Sequence, residues 1–258
     1  SQSGQCRQGR LMRVSSANRN LAGHIYQPQT GNPMLMPSRL IACLALSGVL
    51  ALFVGTGLHP MHADPNHAHA AFAEYAADRH WVASHLLQLL GVALMAAALL
   101  LLAQRLHGSR AEPLARLAAM TTTAGLALAG ALQAVDGIAL KAMVDALATA
   151  PAGEHAALFH ATFAVRQIEI GLASISCLLF GVSVCLYSGA LWQAPQRPAW
   201  LPLLGLASGL PTAAAGAAMA YDGFSERVML INMPANLLLL AWMLGLAWHA
   251  WHRPPAGV

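Results

Sequence analysis

The sequence predicts an all-α membrane protein, a bundle of about six transmembrane helices. Three observations carry this. Of 258 residues, 57% are apolar and only 9% charged, against about 25% charged in an ordinary soluble domain. Mean hydropathy is +0.54. Finally, six windows are long and apolar enough for a bilayer core, near residues 40–57, 81–103, 117–138, 168–191, 200–221 and 228–249. None shows the alternation of a transmembrane strand, and lipid offers no partner for unpaired backbone groups, so only helices fit. The same figures exclude a water-soluble enzyme, a disordered chain and a disulfide scaffold.

The chain divides into residues 1–37, 38–253 and 254–258. Residues 1–37 are polar, Arg-bearing and aperiodic, the composition of a disordered extension. Met34 and Met36 directly precede Pro37-Ser38-Arg39 and the first apolar run, which suggests a natural start at one of them. Leu40 to Gly57 reads as a retained helix rather than a signal peptide. Cleavage after Ala63 would put Met61 at the third-last position, where a small residue is required. Residues 38–253 form the bundle, and 254–258 a short tail.

Orientation follows from Lys and Arg in the short loops. With both termini cytoplasmic, the inner side holds 10 of 14 basic residues and only Glu112 among the acids. The net charge of +4 then resolves into +9 inside and −5 outside. The basic residues form no patch with interleaved aromatics, so no nucleic-acid partner is expected; the lipid bilayer is.

Helices two and three resemble helices four and five. Gly130-Ala131-Leu132-Gln133-Ala134-Val135-Asp136-Gly137 aligns with Gly216-Ala217-Ala218-Met219-Ala220-Tyr221-Asp222-Gly223, and Lys141 with Arg227. This predicts a parallel internal repeat. It puts Asp136 and Asp222 in the last turns of helices three and five, with Gly137 and Gly223 as left-handed caps and Lys141 and Arg227 as ion-pair partners. Gly205 with Gly209, and Gly91, Gly125, Gly130, Gly171 and Gly216, are expected to admit close helix packing, and Pro211 to kink the fifth helix.

Polar residues inside the spans are costly and need partners. Glu169 is the most deeply placed acid, and Arg166 three residues earlier is its simplest partner. His85 and Gln88 share a face of helix two, as do Asn232 and Asn236 of helix six around Pro234. Together with Asp136, Lys141, Asp222 and Arg227 these are the candidates for an outward-opening polar pocket. The first outer loop carries His59, His62, Asp64, His67 and His69. Imidazole with carboxylate suits a divalent zinc, copper or nickel ion, although a solvated His-rich loop accounts for the same residues. Cys43, Cys177 and Cys185 fall within helices, and no outer-loop cysteine exists for a disulfide. There is no phosphate-binding glycine loop, no nucleophile elbow and no His-Glu-x-x-His.

Leu58-His59-Pro60, Ala63-Asp64-Pro65-Asn66, Phe72-Ala73-Glu74-Tyr75-Ala76 and Trp81 through His85-Leu86-Leu87-Gln88-Leu89-Leu90-Gly91 resemble a group of small multi-pass membrane proteins of bacteria with no known activity. Val135-Asp136-Gly137-Ile138-Ala139-Leu140-Lys141 carries the same resemblance. It implies the bacterial inner membrane and supplies no catalytic residue. The sequence thus favours a non-enzymatic protein whose outward polar pocket handles a small solute or cation. The alternatives are an outer-face metal-binding protein, or a structural or assembly subunit; no cofactor is expected beyond a divalent metal in the former.

Overall fold

The computed structural model describes residues 38–60, 62–194 and 197–252. The expected extension at 1–37, the start at Met34 or Met36 and the tail at 254–258 lie outside the described residues. Among those described there are helices and no strands. They are α1 (Ser38–Leu58), α2 (Ala68–Ala77), α3 (Trp81–Arg105), α4 (Glu112–Gln133), a π-helical segment (Ala134–Leu140), α5 (Lys141–Ala148), α6 (His155–Gln193), α7 (Trp200–Asp222) and α8 (Glu226–His252). Six continuous helical stretches are long and apolar enough to cross a membrane: α1, α3, α4 through α5, α6, α7 and α8. The fold is that of a multi-pass membrane protein.

The six pack as a closed cycle of neighbours, α1 on α3, α3 on α4, α4 on α6, α6 on α7, α7 on α8 and α8 on α1. Between helices in lipid, close packing and hydrogen bonds replace the hydrophobic drive, and small residues let backbones approach. The α1–α3 seam shows why. A Cβ on Gly48 would lie 2.8 Å from the Gly91 carbonyl oxygen, and one on Gly91 would lie 2.8 Å from that of Gly48. Gly130 and Gly171, also expected to admit close packing, face open space instead. Buried hydroxyls tie the cycle further: Tyr187 donates to the Leu99 carbonyl at 2.8 Å, Ser174 to that of Gly216 at 2.8 Å, and Thr122 meets Ser183 at 2.6 Å. Pro211 sits inside an α7 that remains helical on both sides of it.

Two spans are longer than hydropathy suggested. The third runs from Glu112 to Ala148 rather than 117–138, and the fourth from His155 to Gln193 rather than 168–191. At 1.5 Å per residue each is about 55–60 Å long, well beyond a hydrocarbon core of about 30 Å. Their adjoining ends therefore project past the apolar slab. There the short helix α2, which hydropathy alone does not reveal, packs its Ala71, Phe72 and Tyr75 against Trp81, Leu140, Val144 and Leu147, with Leu158 and Phe159 beside them.

The longer third span overturns one expectation. Asp136 and Gly137 do not end a helix: they lie within a π-helical turn that continues into α5. Gly137 is not a left-handed cap. It is glycine because His85 presses on it, a Cβ there falling 2.6 Å from the His85 Cβ. Asp222 does close α7, and Gly223 follows it with φ of +59°, but its ψ of −145° is not the left-handed helical conformation expected of the cap.

Candidate functional site

Below α2, side chains from three spans converge. His85, in the second turn of α3, puts Nε2 3.1 Å from Asp136 Oδ2 in the π-helical turn. His85 is almost fully buried and Asp136 mostly so, at 2% and 15% side-chain exposure. The other imidazole nitrogen, Nδ1, lies 2.6 Å from the Trp81 carbonyl. A carbonyl only accepts, which favours the tautomer with its hydrogen on Nδ1, although the Ser84 hydroxyl also lies 3.3 Å from that nitrogen. Trp81 reaches across in turn, its indole N–H donating to the main-chain carbonyl of Asp136 at 3.0 Å. π-helical turns are rare and concentrate at functional sites.

On α6, Arg166 Nη1 donates to both oxygens of Glu169 at 2.8 Å, the partner expected from the three-residue spacing. Both are buried, at 7% and 3% side-chain exposure. The guanidinium sits over the rings of Phe224 at 4.9 Å and Tyr75 at 5.5 Å, so an aromatic from α2 and one from the α7–α8 turn shield the ion pair. The charge of Asp136 also acts on Glu169, which links the two pairs electrostatically. His59, just beyond α1, completes the cluster. Its Nδ1 donates to the Pro60 carbonyl at 2.7 Å, and its ring packs on Trp81 and His85 with centroids 4.8 and 5.0 Å away.

The groups between cluster and solvent are shifted by burial. Burial lowers the His59 imidazole below its usual 6.5, and the neighbouring His85 lowers it further. Burial pushes the Tyr75 phenol up to about 12, with Arg166 pulling the other way.

Helix α2 is anchored over these residues. Lys141 donates to the carbonyls of Tyr75 at 3.0 Å and Ala76 at 2.9 Å, filling acceptors at the end of α2 that have no helical partner. The same ammonium reaches Asp145 at 2.8 Å. Lys141 thus pairs with Asp145 and not, as expected, with Asp136: the π-helical turn carries the aspartate inward to His85. Glu74 of α2 accepts the backbone N–H groups of His62 at 3.0 Å and Ala63 at 2.8 Å, and Asn66 donates to the Phe224 carbonyl at 2.9 Å.

The structure therefore brings together His85, Asp136, Arg166 and Glu169, with Gln88 a turn deeper. There Gln133 Nε2 approaches Gln88 Oε1 at 3.5 Å. The other expected pocket residues stand apart. Arg227 and Asp222 make an exposed pair at 4.0 Å. Asn232 is half-buried and Asn236 exposed on α8, which packs on α7 and α1. Of the loop residues proposed for a metal, His59 is drawn into the cluster, His69 stacks on Phe159 at 4.0 Å, His67 lies 3.8 Å from Asp64, and His62 contributes its backbone to Glu74. Among the described residues no three His, Cys, Asp or Glu side chains gather as a metal ion requires. An open apolar groove of about 300 Å³ at the start of α8 is lined by Glu226, Met229, Leu230, Met233 and Pro234, none of them cluster residues.

Sequence reasoning missed Tyr75, Trp81 and Gln133. Gln133 was within reach, since it precedes Asp136 by three residues on one helix face. Comparison with family models, with curated proteins and with solved structures finds no match.

Proposed function

We propose that this protein is a non-enzymatic bacterial inner-membrane protein that binds or passes a small cation or solute at the His85–Asp136–Arg166–Glu169 cluster. The observation that carries the reading is that two acids from different spans are each withdrawn from solvent against a base, Asp136 with His85 and Glu169 with Arg166. Ionisable groups buried within membrane-spanning helices are expensive, and those that persist often mark ion or substrate pathways. Lys and Arg in the short loops orient both termini to the cytoplasm, so the cluster and its α2 cover face outward. The cluster is closed over by α2, so the ligand reaches it when α2 moves.

Ligand-induced thermal stabilisation of the purified chain tests this across a panel of inorganic cations and small organic solutes. At least one ligand should raise Tm in a concentration-dependent way, with the rise lost in Asp136→Asn and kept in Asp222→Asn. A flat response across the panel, or a rise indifferent to Asp136→Asn, would leave a structural bundle as the better description.

A further inference from the structure

The exposed side of α8 carries an amide where lipid offers it nothing to bind. Asn236 lies ten residues past Glu226, the first residue of α8, so it sits about 15 Å along a helix of about 40 Å, near the middle of the span. It is exposed, beside the exposed Leu230, Met233 and Leu237. Among the described residues it makes no hydrogen bond. Asn232, one turn earlier, does not supply one: it is half-buried, and its own Oδ1 has no donor. An amide brings two donor hydrogens and an acceptor oxygen, and leaving them unpaired in hydrocarbon is costly. Polar residues within a span ordinarily face the bundle interior or a water-filled cavity; Asn236 instead shares a surface with leucine and methionine.

A groove lies next to it. The open apolar depression of about 300 Å³ lined by Glu226, Met229, Leu230, Met233 and Pro234 occupies the first half of the same helix. Met233 precedes Asn236 by three residues, so groove and amide share one side of α8. Pro234 adds a second unpaired group there: lacking an N–H, it leaves the Leu230 carbonyl without its helical donor. A concavity flanked by unpaired polar groups at membrane depth fits another helix better than it fits lipid, because helices in membranes associate through packing and interhelical hydrogen bonds. An amide is donor and acceptor at once, so it is complementary to itself across a two-fold axis.

We infer that this chain associates with a second copy of itself in the membrane, as a two-fold dimer through the first half of α8. The Asn236 Nδ2–H of each copy donates to the Asn236 Oδ1 of the other, and Met233 and Leu237 of each copy pack into the groove of its partner. A second copy is the occupant that fits best: two chains inserted with the same orientation bring their Asn236 amides to the same depth, where a different membrane protein would need a polar group placed there independently. The inference stands apart from the His85–Asp136–Arg166–Glu169 cluster, none of whose residues lies on α8.

The test is photobleaching step counting on the full chain, labelled once at its C-terminus and reconstituted in phosphatidylcholine vesicles at falling protein-to-lipid ratios. The wild type should pass from two steps to one along a single dimerisation isotherm. Asn236→Leu should weaken the association by about tenfold, the scale of one interhelical hydrogen bond, while Asn236→Gln, which keeps the amide, should restore it. Leu210→Ala, on the exposed side of α7, should leave it unchanged. A wild type that stays monomeric at every ratio overturns the inference, and so does a dimer indifferent to Asn236→Leu. A purified chain that carries a different membrane protein in fixed ratio, and does not pair with itself, also overturns it. Should Asn236→Leu not fold, oxidative cross-linking of Met233→Cys in the same vesicles decides: a chain-to-chain disulfide above the wild-type background supports the dimer, and its absence overturns it.

Discussion

Gly137 lies directly beneath His85, so close that a methyl group added at Gly137 would sit 2.6 Å from the His85 Cβ. The imidazole reaches Asp136 Oδ2 only because the next residue has no side chain. Gly137→Ala should therefore push α3 from the π-helical turn and lengthen the His85–Asp136 contact. The expected loss is about 1–3 kcal/mol, typical of overpacking, seen as a lower Tm in detergent. Gly130→Ala, where the added methyl meets nothing, should leave Tm unchanged or raise it.

Arg166 and Glu169 form a buried pair whose single partners are worth much less apart than together. Glu169→Gln alone should cost about 3–5 kcal/mol, because it strands a buried guanidinium, whereas Arg166→Met with Glu169→Leu should recover most of that. A double-mutant cycle on thermal unfolding measures the coupling. Simple additivity would mean that the pair does not interact in the folded protein.

Lys141 holds α2 down through the Tyr75 and Ala76 carbonyls. Lys141→Met keeps the apolar stem and removes the charged donor, at a cost of about 2 kcal/mol. Hydrogen exchange should accelerate over Ala68–Ala77 and much less in α6. Uniform acceleration across the chain would show instead that α2 unfolds only with the whole bundle.

The two shifted groups at the rim give opposite pH effects. Tyr75, raised to about 12 in the fold against 10.0 in the unfolded chain, stays protonated while the unfolded chain loses its proton. Its contribution is complete below pH 10 and is lost as pH rises toward 12, so Tyr75→Phe should flatten the alkaline fall of Tm. His59 is lowered in the fold, so the unfolded chain takes up its proton first on acidification. That contribution is complete above the usual 6.5 and declines as pH falls below it, and His59→Phe should flatten the acid side.

The bundle was legible because apolar length is a one-dimensional property: all six spans can be read without knowing what they touch. The Arg166–Glu169 pair was legible for a similar reason, since three residues on a helix make neighbours whatever the tertiary context. The alignment of Asp136-Gly137 with Asp222-Gly223 misled. The two dipeptides share letters and not surroundings, one lying inside a π-helical turn against His85 and the other closing α7. A π-helical turn leaves no sequence mark, so hydropathy stopped the third span where its apolar run faded and took Lys141 for a partner of Asp136. Helix α2 escaped notice because ten residues of mixed character carry little periodic signal. Its role shows only when Phe72 and Tyr75 find Trp81 and Val144.

In the proposed function it is Asp136, and not its sequence counterpart Asp222, that would hold the ligand, a small cation being the first to test. Equilibrium dialysis of purified protein against a radioactive alkali cation tests it most directly, comparing wild type, Asp136→Asn and Asp222→Asn. Bound ion in proportion to protein for the wild type and Asp222→Asn, falling to background in a folded Asp136→Asn, is the predicted result. Background binding by the wild type, or equal binding by all three, would contradict it.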